Sequence, residues 1–375
     1  MAELSFRIPS KILQGVNEIN RAGIEVSRLG KRVLIIADSD LKDPLWKLQG
    51  LLESHGIKTI VFNEEINHGS SFTIETCINL AKGSFIESLI GFGGGQTLSV
   101  ARGVVAAMPN DWHPDDLFES GQMNDRYLPY LEIPISFWTP YLLQACFPMT
   151  ESRGLLTSII KGESHPARVM ILDPSLCLPF SERKRIPLYY ELILYCLTAV
   201  LHPKRSFLTE VHCQKGFIRL WDQREKLVKQ WDLSTVLALS EAGLLVSLAQ
   251  DEVSFFWPGL LVQNVSGHFQ VSRSVVSLVL LPYIMDYLFE SFYNEMKSFL
   301  ECLPCSDDIP ETPEDLLESI REGIGYYSMP SQLRSLGISM DQLAVAAETT
   351  GRMMSELEVG GITVDQLFQI LKSSW

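Results

Sequence analysis

The densest chemistry in the sequence lies in GFGGGQT, Gly91–Thr97. Three consecutive glycines let a backbone approach a ligand where a Cβ would collide. The segment follows the apolar run IESLIGF and opens a helical pattern. Free N–H groups and the positive end of that helix would form an anion site suited to a pyrophosphate. Gly93, Gly94 and Gly95 would be the cradle, with Gln96 and Thr97 as neutral donors. The spacing is neither GxGxxG nor a Walker loop with its Lys. A tight strand–helix turn without a ligand is the competing reading. Asp38 ends the strand pattern KRVLIIAD. A carboxylate at such a tip accepts hydrogen bonds from a ribose hydroxyl and repels a 2′-phosphate. Alone, Asp38 reads as a turn residue of Asp38-Ser-Asp40. With the glycine turn it points to a dinucleotide.

Other reactive side chains form no constellation. Cys302 and Cys305 make a CxxC pair, but zinc would need two more ligands at matching spacing and none follows. Its Pro- and acid-rich surroundings suit a loop. Cys196 and Cys213 lie in helical patterns and read as packing thiols. His212 and His268 are single histidines, which read first as structural. His55, His68 and His113 sit in loops beside Gly or Pro.

The elements that would position the turn divide the chain in two. Up to Pro179, strand and helix patterns alternate. Lys31–Asp38, Lys58–Phe62, Ile86–Phe92, Tyr130–Phe137 and Arg168–Pro174 read as strands, with helices over Thr73–Leu80 and Thr97–Met108. Such alternation predicts right-handed crossovers and a mostly parallel sheet. From residue 180 onward, long apolar-periodic segments predict an all-helical domain: Leu188–Leu201, Val236–Leu248, Ser274–Leu300, Leu316–Tyr326 and Gln342–Leu357. Helix starts are expected at Thr312–Asp315, Ser339–Gln342 and Thr363–Gln366, each a hydroxyl three residues before an acid or amide. The expected domains are 1–179, α/β and dinucleotide-binding, and 180–375, all-α.

Composition bounds the function class. The chain has 375 residues, 46% of them hydrophobic, which suits two packed domains rather than a disordered chain. It carries 31 Lys and Arg against 45 Asp and Glu, a net charge of −14. That balance argues against a nucleic-acid partner. The N-terminus has no signal-peptide pattern, and the densest apolar stretch, Ser274–Met285, is short and interrupted by Pro282. A membrane span is therefore not expected. Seven scattered cysteines do not form a disulfide framework. A soluble, cytoplasmic, enzyme-sized protein is the simplest expectation.

Several segments, in order, resemble the iron-containing alcohol dehydrogenase family, which includes glycerol dehydrogenases and has the dehydroquinate-synthase-like fold. They are FRIPSKILQGVNEI, GKRVLIIAD, SLIGFGGGQTLSVAR, ARVMILDPSLCLPF, VVSLVLLPYIM and LRSLGISMDQLAVAAETT. The resemblance implies an interdomain cleft holding NAD(P), a divalent metal and a small-molecule substrate. It places the pyrophosphate loop on Gly93, Gly94, Gly95, Gln96 and Thr97. Asp38 then lies at the adenine ribose, favouring NAD, and a homodimer is compatible with the fold.

Other family positions are altered here. The acid of the GGGSxxD segment falls on Ser99. The second nucleotide loop corresponds to SFWTPYLLQ, Ser136–Gln144, where only Thr139 keeps a suitable hydroxyl. Phe137, Trp138, Tyr141, Leu142 and Leu143 there would crowd a nicotinamide riboside. The metal-binding Asp-x-x-x-His pair falls near Tyr190, Glu191, Leu194 and Tyr195, so only Glu191 could ligate. One metal His falls on Arg273, a permanent cation without a lone pair. Another falls between Gly259 and Ser266, where there is none, with His268 just beyond. A divalent metal is therefore expected to be absent. Arg273 could bind or polarise a substrate oxygen, with Tyr195, Tyr190 or Tyr189 as proton donor. The leading expectation is a divergent NAD-dependent oxidoreductase acting on a small alcohol, aldehyde or ketone. The alternative is a pseudoenzyme or regulatory nucleotide-binding protein. A non-redox enzyme of the same fold ranks third.

Overall fold

The computed structural model describes residues 11–64, 66, 69–124, 126–151, 156–253, 255–304 and 309–375. Cys305, His68 and residues 6–10 of the N-terminal resemblance lie outside them. The described chain forms two compact units. One holds the residues up to Pro179 together with Asp232–Ser240, and the other holds Phe180–Trp231 and Glu241–Trp375.

The first unit is built from β1 (Ile12–Gln14), α1 (Ala22–Val26), β2 (Arg32–Ala37), α2 (Lys42–Glu53), β3 (Lys58–Phe62), α3 (Ser71–Gly83), β4 (Ser88–Gly93), α4 (Gly95–Ala107), α5 (Pro114–Ser120), β5 (Tyr130–Pro134), β6 (Cys146–Thr150), β7 (Thr157–Lys161) and β8 (Val169–Leu172). Six strands form one sheet in the order β1-β8-β5-β4-β2-β3, every neighbouring pair parallel. Strand β2 explains why its sequence is a continuous apolar run. Alternate side chains point to opposite faces, and both faces are covered. Val33 and Ile35 join Leu45, Leu48 and Leu52 of α2. Leu34 and Ile36 join Ile74 and Ile78 of α3 and Val100 and Val104 of α4. Each such buried aliphatic side chain contributes about 1.5–3 kcal/mol.

The strand order creates the feature that matters for function. From β2 the chain steps to β3 on one side and to β4 on the other. Open α/β sheets bind ligands beyond the carboxyl ends of strands at such a switch point. The register places Ala37 beside Phe92, so Asp38 and Gly93 leave the sheet next to each other.

The hairpin β6–β7 is antiparallel and separate from the main sheet. The sequence reading missed it because Pro148 interrupts the strand pattern. Asp173, in the segment ILDP, fastens the sheet's far edge. Its Oδ1 accepts from the N–H groups of Asn17 and Ser175, both at 3.0 Å, and its Oδ2 from Ile19 at 3.1 Å.

The second unit is helical throughout its described residues: α6 (Glu182–Val200), α7 (Phe207–Trp221), α8 (Lys226–Lys229), the greater part of α9 (Leu233–Val253), α10 (Trp257–Phe269), α11 (Arg273–Glu301), α12 (Pro313–Tyr326), α13 (Gln342–Glu356) and α14 (Val364–Ser373). Thr363 and Gln366 form the reciprocal cap expected of them, and Thr312 caps α12. Ser339 and Gln342 do bond, but two residues early: the residue preceding α13 is Asp341. Helix α7 holds Cys213, which the sequence placed in a helical pattern, whereas α10 escaped the sequence reading. Helix α10 is buried almost all round and carries two glycines, so it shows no amphipathic stripe.

Pro282 does not interrupt α11, which runs through it and kinks only at Phe292, where the backbone leaves the helical region (φ −127°, ψ 30°). Leu233–Asp251 and α11 are thus long and apolar enough to cross a membrane by length and composition. About half of their apolar windows, 50% and 56%, is buried inside the protein.

Asp173→Ala would leave the buried Ile19 N–H and its neighbours without acceptors. The expected loss is about 2–3 kcal/mol in urea unfolding.

Candidate nucleotide and substrate sites

The glycine turn is locked from within. Asp38 Oδ2 accepts the N–H of Gly94 at 3.0 Å, and Asp38 Oδ1 accepts the hydroxyl of Thr97 in a short bond. A Cβ on Gly93 would collide with Asp38 Oδ1 and stand 2.7 Å from Thr97 Cβ. The missing side chain at Gly93 therefore makes room for the protein's own carboxylate rather than for a ligand, which corrects the simplest reading of the cradle. Gly94 differs: its added Cβ would meet only ordinary contact, 3.6 Å from Asp38 Oδ2. A carboxylate at the positive end of α4 is stabilising by about 0.3–1 kcal/mol. Gly95, Gln96 and Thr97 supply first-turn N–H groups, which have no partner within the helix itself. Gln96 is exposed and Thr97 buried. Ser99 is buried and donates back to the carbonyl of Gly95 at 2.9 Å.

One turn further along α4, Arg102 enters the interior. Its Nε and Nη2 grip Glu132 of β5 at 3.0 and 2.8 Å. Nη1 donates to the carbonyls of Tyr141 and Cys146 at 2.9 and 2.7 Å, and Nη2 to that of Leu142 at 3.0 Å. Burial opposes the guanidinium's charge, but Glu132 more than offsets it, so the group is held more firmly protonated than usual. His165 accepts from Ala167 N–H through Nδ1, and its Nε2 lies 3.0 Å from both Leu142 O and Arg102 Nη2. Burial and the adjacent Arg102 push its pKa well below the ordinary histidine value, so it is neutral.

These contacts shape the second loop, 136–144. Phe137, Trp138, Tyr141, Leu142 and Leu143 are all buried in the fold. Tyr141 takes a left-handed backbone, φ 60°, a strained conformation for a bulky residue. Thr139 is 5% exposed, and its hydroxyl has no hydrogen-bond partner.

The other predicted residues meet in the helical unit. Glu191 and Tyr195 lie one turn apart on α6, and Arg273 and Ser277 one turn apart on α11. Arg273 Nε is 2.9 Å from Glu191 Oε1, although its N–H is not aligned on that oxygen. Ser277 donates to the same oxygen at 3.1 Å, and Glu191 Oε2 is buried without a partner. Burial raises the Glu191 pKa, against the opposing pull of Arg273 and Ser277. Gly259 of α10 lies against the Tyr195 ring, 3.2 Å from where its Cβ would stand. Tyr189 is spent on packing, donating to Leu220 O at 3.3 Å. Tyr190 fills the space a Cβ on Gly323 would take.

His268 is nine residues from Gly259, and at about 100° per residue it lies on the opposite side of α10. Its ring packs edge-on against Phe269. Among the described residues, no group of three or more His, Cys, Asp or Glu side chains is arranged to hold a metal ion. Cys302 is exposed, and the other five described cysteines are buried free thiols.

Comparison with known proteins agrees with this architecture. Residues 9–174 match the family model described as iron-containing alcohol dehydrogenase. NADH-dependent butanol dehydrogenase B of Clostridium acetobutylicum is 21% identical, with 100% of both chains covered. The structure of NADH-dependent butanol dehydrogenase A from Thermotoga maritima superposes with a TM-score of 0.88 at 15% identity, covering 100% of this chain and 99% of that one. Sulfoacetaldehyde reductase from Bifidobacterium kashiwanohense, solved in complex with NAD+, gives 0.85 at 13% identity and 100% and 99% coverage. Residues 9–174 thus resemble the iron-containing alcohol dehydrogenases, and the whole chain shares the fold of the solved structures.

Three site features lay outside the sequence reading. They are the Asp38–Thr97 lock, the Arg102–Glu132 pair and Gln263. Gln263 lies one turn beyond Gly259 on α10, 8% exposed, with its amide oxygen unpartnered. The only sequence signal for the ion pair was a charged residue inside each of two otherwise apolar elements, α4 and β5.

Arg102→Met would strand Glu132 and three loop carbonyls in the interior. The expected cost is about 3–5 kcal/mol by denaturant unfolding. Gly93→Ala should also destabilise, because Asp38 must leave the turn, whereas Gly94→Ala should change stability by less than about 1 kcal/mol.

Proposed function

We propose that the protein is an NAD-dependent oxidoreductase acting on a small alcohol, aldehyde or ketone, without a metal ion at its substrate site. The observation that carries the reading is the glycine turn at the β2/β4 switch point with Asp38 in its mouth. There the first turn of α4 would hold the pyrophosphate. Asp38, at the tip of β2, would accept the adenine ribose hydroxyls. The same negative charge disfavours a 2′-phosphate, hence NAD over NADP. Because Asp38 is fixed by Gly94 and Thr97, this selection is preorganised. Thr139 offers an unpartnered hydroxyl to the rest of the dinucleotide. The nicotinamide, when bound, supplies or accepts the hydride. NADH-dependent relatives and a fold neighbour solved with NAD+ support the cofactor.

Arg273 and Tyr195 are the residues assigned to the substrate. The metal reading finds poor support in the donor set: Glu191 already faces a guanidinium, and a cation there repels a second one. The free thiols agree with a reducing, cytoplasmic setting. A second reading, a nucleotide-binding protein without dehydrogenase turnover, is favoured by that same Glu191–Arg273 pair.

Fluorescence titration with NADH and NADPH tests the first reading. NADH should bind roughly tenfold or more tightly than NADPH. Gly94→Ala should weaken NADH roughly tenfold with an unchanged melting temperature, because the added Cβ stands in the cradle. Turnover with NADH and short aldehydes separates the enzyme from the second reading. Failure of both nucleotides to bind would exclude each.

A further inference from the structure

Buried polar groups of α6 and α11 meet at Glu191, with α10 packed against the neighbouring Tyr195. Arg273 and Ser277 of α11 both reach Glu191 of α6, at 2.9 and 3.1 Å. Tyr195 shares the Glu191 face of its helix and is met by Gly259, whose face of α10 also carries Gln263. Glu191 Oε2 is buried here without a hydrogen-bond partner, as is Gln263 Oε1 on α10. Each such atom costs about 1–3 kcal/mol if left bare. Unsatisfied buried acceptors call for an explanation, such as an occupant that donates to them. Arg273 Nε is also misaligned on its acceptor, and its side chain keeps 18% exposure.

We propose that Arg273 is the resident cation of this patch. Its guanidinium takes the place beside Glu191 that a divalent ion would need, and its outer edge binds the oxygen of the substrate. The second half of this proposal rests on the oxidoreductase reading; the first does not. Chemically the exchange is coherent. When a carbonyl carbon takes a hydride from the reduced nicotinamide, the C=O π pair moves onto oxygen. That oxygen is held by a fixed positive charge until it takes a proton from water. Arg273 supplies the charge and directional N–H donors, and a chelator cannot remove it. Glu191 keeps the guanidinium in position and is neutralised by it, so the pair as a whole leaves little attraction for a metal dication.

The test uses the full chain. Zinc uptake is measured by equilibrium dialysis and elemental analysis for wild type, Arg273→His and Gln263→His. Arg273→His returns a ligating nitrogen beside Glu191 and should take up roughly tenfold more zinc than wild type. Gln263→His keeps the ion pair and should gain none. Equal uptake by wild type and Arg273→His, high or low, overturns the proposal, as does a gain in Gln263→His.

With NADH and propanal, dialysis of wild type against a chelator should leave kcat unchanged. Arg273→Met should lower it roughly 100-fold at unchanged NADH affinity, and Arg273→Lys should recover part of it. Chelator-sensitive turnover, or Arg273→Met within threefold (about 0.7 kcal/mol) of wild type, overturns the substrate role. Absence of NADH binding would instead refute the oxidoreductase reading, and the zinc comparison would still decide what occupies the patch.

Discussion

A guanidinium can sit in the interior of a protein only if its charge and all its N–H groups are answered. Arg102 meets that condition with Glu132 and the carbonyls of Tyr141, Leu142 and Cys146. This one requirement fixes much of the first unit. It ties α4, which begins at the glycine turn, to the strand β5 beside β4. It also sets the path of the chain leaving β5, because three of its peptide groups must point inward. The strained Tyr141 and the buried aromatic side chains of the loop are consequences of that path. His165 stays neutral beside Arg102 for the same reason: a second positive charge there would have no partner.

The two candidate sites use the same device, a carboxylate satisfied by the protein's own donors. In the first unit Asp38 occupies the mouth of the glycine turn and holds it in shape through Gly94 and Thr97. In the helical unit Glu191 is held by Arg273 and Ser277. In the former, the carboxylate is half-buried at the strand tip, which suits recognition of hydroxyls. In the latter, burial makes a bare carboxylate costly, and Arg273 compensates it. Where the family resemblance expects a metal ion, Arg273 stands 2.9 Å from Glu191.

Much of the fold was legible because it follows from local periodicity. The run RVLIIA had to be a strand covered on both faces, and Lys58–Phe62 was read to the residue. Helix α12 was marked by Thr312 and Pro313, and α14 by Thr363. Helix α10 was not legible, since a helix buried on nearly every side has no polar face to give it a period. Pro282 misled for a related reason. Proline removes one hydrogen bond and crowds one carbonyl, but α11 is so extensively buried that it continues regardless.

By itself the sequence determined the glycine turn, the acid at the end of β2, the α/β half followed by a helical half, and the family resemblance. All of these rest on residues close together in the chain or in a recurrent order. Only the tertiary structure decided what each polar group touches. It put Asp38 against Gly93 across a separation of 55 positions, paired Arg102 with Glu132, and set Glu191 against Arg273 while turning His268 to the other side of α10. Hydrogen bonds and ion pairs act over about 3–4 Å in space, and sequence separation carries no information about that distance until the chain is folded.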